Sequence, residues 1–278
     1  MASAEKIDRA EFRKKYGPWA LIVGASHGLG EAFPRQLAAL GLNCVLVART
    51  AAKLESLKTG LENEFGVEVL ALALDLSLPG ATERMIAAIG EREMGLLVYN
   101  AGSPPYARQF LQGGIGDWSG LVMKNAQTLM ECCFHFGGKM VERGRGGVVL
   151  VGSHAAFGGT KKLSVYTATK AFGANFGESL WAEWSDKGVD VINLLIANTD
   201  TPTLREHMAE HGMTVTPEMN IPTPEHIVSV GLAQLPNGPS FVFPDDENPE
   251  PGTVTRGQQR REYVVESTRT TAAFIGDD

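Results

Sequence analysis

The sequence predicts an α/β fold: a doubly wound parallel sheet of seven strands with helices on both faces. Three observations predict it. Short apolar runs recur at 20–23, 43–47, 67–74, 96–99, 147–151, 189–196 and 240–243. Helical patterns fill the intervals at 30–40, 51–65, 80–91, 117–142, 164–186 and 224–235. The first run passes through a glycine-rich turn into the first helix. Strands alternating with helices build βαβ units with right-handed crossovers, and so a parallel sheet.

The elements can be taken in order. Ala20-Leu21-Ile22-Val23 reads as a short buried strand. It runs into Gly24-Ala25-Ser26-His27-Gly28-Leu29-Gly30 and then a helical stretch from Glu31 to Leu40. Strand, glycine turn and helix form the setting of a dinucleotide-binding loop. Gly24 allows the tight turn, Gly28 lets a pyrophosphate approach the backbone, and Gly30 lets helix and strand pack closely. The helix N-terminus offers N–H groups and partial positive charge to the phosphates.

The second strand, Val45-Leu46-Val47, is followed by Ala48-Arg49. NAD-binding versions of this arrangement carry an acid there to hold the ribose hydroxyls. None is present. A guanidinium binds a 2′-phosphate through paired, charge-assisted hydrogen bonds, so Arg49 points to NADP(H). His27, with Ser26, can touch the same phosphate. The plainer reading of Arg49 is a surface arginine. Asp75-Leu76 follows the run 67–74, with Asp75 expected at the adenine ring and Leu76 packed beside it. Asn100-Ala101-Gly102 follows Leu96-Leu97-Val98 and is expected to line the cofactor cleft, although Asn100 can equally clamp neighbouring strands.

Further along, Asn125 falls in the helical segment 117–131, and Ser153 follows Val148-Val149-Leu150-Val151. Tyr166 and Lys170 lie in Tyr166-Thr167-Ala168-Thr169-Lys170. A spacing of four puts both on one helix face, a turn apart. A tyrosine donates protons poorly near neutrality unless its pKa falls from about 10, and a nearby ammonium lowers it. With Ser153 holding a substrate oxygen, the set suits proton transfer to or from a carbonyl or alcohol. Alone, a Tyr-x-x-x-Lys pair is most simply an exposed helix face. The glycine loop upstream is an independent signal.

These motifs, in this order across about residues 16–245, resemble the short-chain dehydrogenase/reductase family. The G-x-x-x-G-x-G spacing carries the likeness, as do Asn100-Ala101-Gly102, Asn125, Ser153 and Tyr166-x-x-x-Lys170. The resemblance implies a Rossmann-type sheet in the order 3-2-1-4-5-6-7. It also implies roles. Tyr166 is the general acid/base, Lys170 lowers its pKa and binds the nicotinamide ribose, and Ser153 orients the substrate oxygen. Asn125 supports the lysine through water. Thr199 and Thr201 hold the nicotinamide carboxamide. Two departures stand out: Ile196-Ala197 replaces the usual Pro-Gly, and Tyr99 replaces an asparagine before Asn100. Tyr16-Gly17-Pro18-Trp19-Ala20, the stretch Gly41 to Thr50, and Met140-Val141-Glu142-Arg143 look like the hydroxysteroid dehydrogenase and long-chain 3-ketoacyl reductase branch. That suggests an apolar ketone or alcohol, steroid-like, acyl or aryl.

Composition bounds the alternatives. The 278 residues are 44% hydrophobic and 21% charged with net charge −7, ordinary for a globular protein and against a nucleic-acid surface. Cys44, Cys132 and Cys133 form no disulfide framework and fit a reducing cytoplasm. The histidines are scattered without metal-ligand spacing. Residues 1–15 are charged and do not read as a secretory signal. No run is long and apolar enough to span a membrane.

The whole chain, 1–278, is expected to be one dinucleotide-binding domain. Residues 202–223, rich in Met and Pro, read as a substrate lid or as a surface loop. From Pro244 an acidic, proline-rich linker leads to a helical stretch at 255–275. This tail can cover a neighbouring subunit, cover the substrate pocket, or fray. By resemblance, the helices at 117–142 and 164–186 make a homo-oligomer, a dimer or a tetramer, and Trp181 and Trp184 fill either the core or that interface. A non-catalytic NADP(H)-binding regulatory or scaffolding protein is the second reading. The complete Ser153, Tyr166, Lys170 and Asn125 set argues against it.

Overall fold

A computed structural model describes residues 7–102, 107–210, 212–247, 249 and 252–275. Seven parallel strands form one sheet in the order β3-β2-β1-β4-β5-β6-β7. They are β1 (Trp19–Val23), β2 (Asn43–Ala48), β3 (Val69–Ala73), β4 (Met94–Tyr99), β5 (Gly146–Val151), β6 (Val189–Leu195) and β7 (Ser240–Val242). The expected sheet and its order are both present. β3 is shorter than the run 67–74 because it is an edge strand, half-exposed along most of its length.

Helices α2 (Leu29–Ala39), α3 (Ala51–Phe65) and α10 (Pro224–Gln234) cover one face. α4 (Ala81–Ile89), a helical run from 115 to 143, and α8 (Ser164–Trp184) cover the other. The sequence cause is period-2 alternation in strands whose two faces are both buried. Ala20 and Ile22 point into the first layer, Leu21 and Val23 into the second. The run 115–143 consists of α5 (Ile115–Val122), α6 (Thr128–Cys132) and α7 (Gly138–Arg143), joined by π turns Met123–Gln127 and Cys133–Gly137. All three cysteines are free and buried. Among the described residues no helix is long and apolar enough to cross a membrane.

Two helices, at 9–16 and 202–210, lie outside the expected helical patterns. α1 (Arg9–Tyr16) lies in a segment whose charge hides a two-residue apolar face. Asp8 caps it, accepting from the Ala10 and Glu11 N–H groups at 2.8 and 3.1 Å. Phe12 and Tyr16 are buried with ring centroids 4.6 Å apart. The Tyr16 hydroxyl donates to Asp190 at the start of β6 at 2.5 Å. Burial, then the Asp190 carboxylate, pushes the Tyr16 phenol far up. α1 thereby closes the amino edge of the sheet, so close that a Cβ on Gly95 would sit 2.3 Å from the Gly17 carbonyl oxygen.

At the other end of the chain, α9 (Pro202–Glu210) occupies the start of the expected lid, and α11 (Arg256–Ile275) forms the expected tail helix. α11 lies against β7 and α8 of its own chain. Trp184 packs over Gly137 and Trp181 beside Gly238, so both tryptophans are used within the chain.

Truncating Phe12 to alanine should cost about 3 kcal/mol of stability, since it empties a buried ring site. Urea unfolding checks this. A loss below ~1 kcal/mol would mean that α1 is not part of the cooperative core.

Candidate active site

The strand order reverses at β1: β2 lies on one side and β4 on the other, so their loops diverge and leave a crevice at the carboxyl edge. The glycine turn sits there. Gly24 has φ +98° and Gly28 +52°, both left-handed values that suit glycine. A Cβ on Gly30 would fall 2.1 Å from the Gly24 carbonyl oxygen, so only glycine lets α2 start this near β1. No side chain caps α2, whose N-cap is Gly28, and Leu29 opens the helix. Asn100 Nδ2 donates to the Gly24 carbonyl at 2.9 Å. The Asn100 and Ala101 N–H groups both donate to Val23 at 2.8 Å. The clamp reading of Asn100 is therefore realised, at the floor of the crevice.

A basic cluster rims one end of the crevice. Arg49 stands exposed after β2. His27 Nδ1 lies 3.1 Å from Ser26 Oγ, and its Nε2 meets Lys53 Nζ. Lys53 escaped the sequence reading. Its signal was position: four residues after Arg49, at the start of α3. Asp75 Oδ1 accepts from the Ser77 N–H at 2.9 Å and the Ser77 hydroxyl at 2.6 Å. The Ser77 hydroxyl, with Arg49 and Lys124 as smaller causes, holds its carboxyl below the usual range. Leu76 is buried, and its carbonyl accepts from Thr128 Oγ1 at 3.1 Å.

The proton-transfer candidates meet beyond β4 and β5. Ser153 faces Tyr166, close enough for its hydroxyl to pull the phenol pKa down. Ser153 Oγ also accepts from the Ala155 N–H at 3.2 Å, capping a 3₁₀ turn, His154–Phe157. Lys170 Nζ stands 5.8 Å from the Tyr166 ring centroid and donates to the Val151 carbonyl at 2.9 Å. Asn125 Nδ2 donates to Gly102 O at 3.3 Å and to Thr169 Oγ1 at 3.0 Å. Its buried Oδ1 has no hydrogen-bond partner among the described residues. A Cβ on Gly102, φ +143°, would lie 3.1 Å from Asn125 Oδ1 and 3.2 Å from Lys170 Nζ. A cavity of about 20 Å³ beside them is lined by Asn125, Thr169, Lys170, Gly152 and Asn193 among others.

The electrostatics differ from the expectation in one respect. Burial raises the Tyr166 phenol, and the Ser153 hydroxyl pulls it back. The Lys170 ammonium donates to the Val151 carbonyl. The lysine itself falls to about 8, first through burial and then through Lys124. Lys124 sits in the π turn with Asn125 and is itself lowered by burial and Arg49.

The two departures find physical reasons. Ile196 is buried in the core at the end of β6. Tyr99 is buried, and its hydroxyl donates to the Lys124 carbonyl. It fills the core and also fixes the π turn next to Asn125, in keeping with the tendency of such turns to mark functional sites. Thr201 reaches back over the glycine loop: a Cβ on Gly28 would lie 2.8 Å from its methyl. Its Oγ1 accepts from the Leu204 N–H at 3.2 Å, capping α9. Thr199 is half-buried two residues earlier.

This geometry has relatives. The short chain dehydrogenase family model matches residues 18–212. The chain belongs to that family of oxidoreductases. It is 30% identical to a 7beta-hydroxysteroid dehydrogenase of Clostridium sardiniense over 232 residues, which cover 84% of this chain and 87% of that one. It is 31% identical to a very-long-chain 3-oxoacyl-CoA reductase of Neurospora crassa, covering 84% of this chain and 70% of that one. Among solved structures it resembles a short-chain dehydrogenase of Sphingobium yanoikuyae in complex with NADPH, with TM-score 0.74, 27% identity, and 92% and 95% of the two chains covered.

Because burial lowers Lys170 from 10.5 to about 8, the unfolded chain binds more protons between those values. Stability contributed by this residue should therefore rise with pH across that window. Lys124→Gln removes a neighbouring cation, so the Lys170 midpoint should move upward, as read by NMR of the lysine Cε. An unmoved midpoint would mean that burial alone sets it.

Proposed function

We propose that this short-chain dehydrogenase interconverts an apolar ketone and its secondary alcohol with NADP(H), using Tyr166 as general acid/base. The observation that carries the reading is that Ser153, Tyr166 and Lys170 converge at the carboxyl edge of the sheet: Lys170 Nζ stands 5.8 Å from the Tyr166 ring, and the Ser153 hydroxyl lowers the Tyr166 phenol.

The crevice fits a dinucleotide on its own features. The glycine turn admits no Cβ at Gly30 without collision, α2 begins without a side-chain cap, His27 meets Lys53, and Arg49 stands exposed at the end of β2. In this reading Gly24, Gly28, Leu29 and Gly30 hold the pyrophosphate, and Arg49 holds the 2′-phosphate with Ser26 and His27. Asp75 and Leu76 meet the adenine, and Asn100, Ala101 and Gly102 line the cleft. Thr199 and Thr201 meet the nicotinamide end. NADP(H), when bound, supplies the hydride.

The remaining work is positional and electrostatic. Ser153 donates a hydrogen bond that orients the substrate oxygen. Tyr166 gives its phenolic proton to that oxygen in reduction and takes it back in oxidation. A phenol raised by burial holds its proton until the oxygen becomes basic. Lys170, titrating near 8, can return a proton to the tyrosine. The cavity of about 20 Å³ beside Asn125 Oδ1 has mostly apolar walls, but Asn125, Thr169, Lys170 and Asn193 reach it, and it has room for about one water to link asparagine and lysine.

Residues 202–223 act as the lid of a single domain spanning 1–278. Both lid ends are tied down: the Asp200 N–H donates to Pro222 O at 2.9 Å, and Arg205 grips the Asp200 carboxylate with two 2.6 Å hydrogen bonds. Met213 and Met219 stand exposed on it, and two of the relatives are a 7beta-hydroxysteroid dehydrogenase and a very-long-chain 3-oxoacyl-CoA reductase. Exposed Val122, Met130, Phe134 and Phe172 on the 115–143 run and α8 support a homo-oligomer built on those helices.

The test is titration with NADPH and NADH, then NADPH consumption at 340 nm against steroid, 3-ketoacyl thioester and aryl ketones. Tyr166→Phe should abolish turnover and leave NADPH affinity intact. Residual activity above a few per cent would sink the tyrosine assignment. Arg49→Ala should weaken NADPH roughly 30-fold, about 2 kcal/mol for a lost charge-assisted contact, and spare NADH. Equal losses for both nucleotides would remove Arg49 from the phosphate site. Tight binding without turnover on any ketone would favour the non-catalytic reading.

A further inference from the structure

The tail helix is fastened to the turn that carries Ser153. At its start, the Gly257 N–H donates to both oxygens of Asp246 at 3.1 and 3.0 Å, and Asp246 Oδ2 also accepts from the Val242 N–H of β7 at 2.9 Å. A Cβ on Gly257 would lie 2.1 Å from that carboxylate, so the approach requires glycine. Arg256 pairs with Asp245 at 3.1 Å. Arg260 forks onto Glu178, with Nη2 donating to Oε2 at 2.9 Å and Nε to Oε1. Glu178 is buried on α8, eight residues beyond Lys170, and also accepts from Ser240 Oγ at 2.8 Å.

Both guanidiniums face the same ring. Arg256 Cζ is 5.4 Å and Arg260 Cζ 5.7 Å from the Phe157 centroid. Phe157 closes the 3₁₀ turn capped by Ser153, and its centroid lies 5.3 Å from that of His154, the residue next to Ser153. Two cations one helical turn apart repel. The ring face and the two carboxylates offset that repulsion. A buried carboxylate such as Glu178 is costly without its partner, so Arg260 is held where it is, and with it one wall around Phe157. Phe157 remains 40% exposed, a ring braced from behind and open in front.

We infer that α11 is a positioning element of the active site: Arg256 and Arg260 hold Phe157, and through it the Ser153 turn, and so keep the site shaped for a bulky ketone. The substrate half of this inference rests on the ketone reductase reading; the mechanical half does not. Arg260→Ala strands Glu178 and can fail to fold, so the informative variant is Arg256→Gln, which leaves the buried pair intact. Hydrogen exchange of the 154–157 amides should speed up at least threefold in Arg256→Gln, with β4 amides unchanged. NADPH-dependent kcat/KM should fall several-fold for a steroid ketone and less for a small aryl ketone, with NADPH affinity unchanged. Both effects should disappear when Arg256→Gln is made in a Phe157→Leu background. Unchanged exchange at 154–157 overturns the clamp whatever the activity. Faster exchange with equal losses on both ketones overturns its role in specificity. A wild-type protein that consumes no ketone overturns the reductase reading instead, and the exchange result still decides the clamp.

Discussion

The carbonyl of Gly24 is the point on which the candidate site depends. It receives the Asn100 amide, and it leaves no space for a Cβ on Gly30. Three elements therefore meet at one peptide: the end of β1, the start of α2 and the loop after β4. Their meeting fixes the crevice, the direction of the α2 N-terminus and the path of Gly102 towards Asn125 and Lys170. Van der Waals exclusion sets the geometry, and a hydrogen bond between buried groups holds it.

The proton-transfer half of the site is an island of polar chemistry in an apolar layer. Asn125 is buried, and Lys170 and Tyr166 are half-buried. Such groups are tolerated only when partnered. Val151 O, Thr169 Oγ1 and Gly102 O supply partners from three different elements. The π turn that presents Asn125 is pinned from the sheet by Tyr99, a residue that looked like an unexplained departure. Burial also turns the electrostatics. It raises the tyrosine and lowers the lysine, so the phenol becomes the tighter proton holder of the pair and the ammonium the readier donor.

Much of the fold was legible because its signals are local. The alternation in Ala20-Leu21-Ile22-Val23 and its counterparts dictates strands buried on both faces, and the glycine turn has few other uses. α1 was missed because six of its eight residues face outward and only Phe12 and Tyr16 declare its inner side. Tyr166, Lys170, Ser153 and Asn125 were legible as types at spacings. Lys124 and Thr169 were not, since a lysine or threonine on a helix gives no sign of what lies across from it, and Lys53 showed only its place four residues after Arg49.

The sequence by itself determined the class of sheet, the glycine cradle, the absence of an acid after β2 and the tyrosine–lysine turn. Each follows from rules acting within a few residues. Tertiary structure alone decided which groups share an environment: Lys124 beside Lys170, Tyr99 beneath the π turn, Thr201 above Gly28. It also decided that the tail docks on its own chain, where a buried Glu178 and an open aromatic ring await two arginines. Burial and electrostatic pairing depend on distance in space, and the chain brings positions more than eighty residues apart into contact without leaving a mark in either neighbourhood.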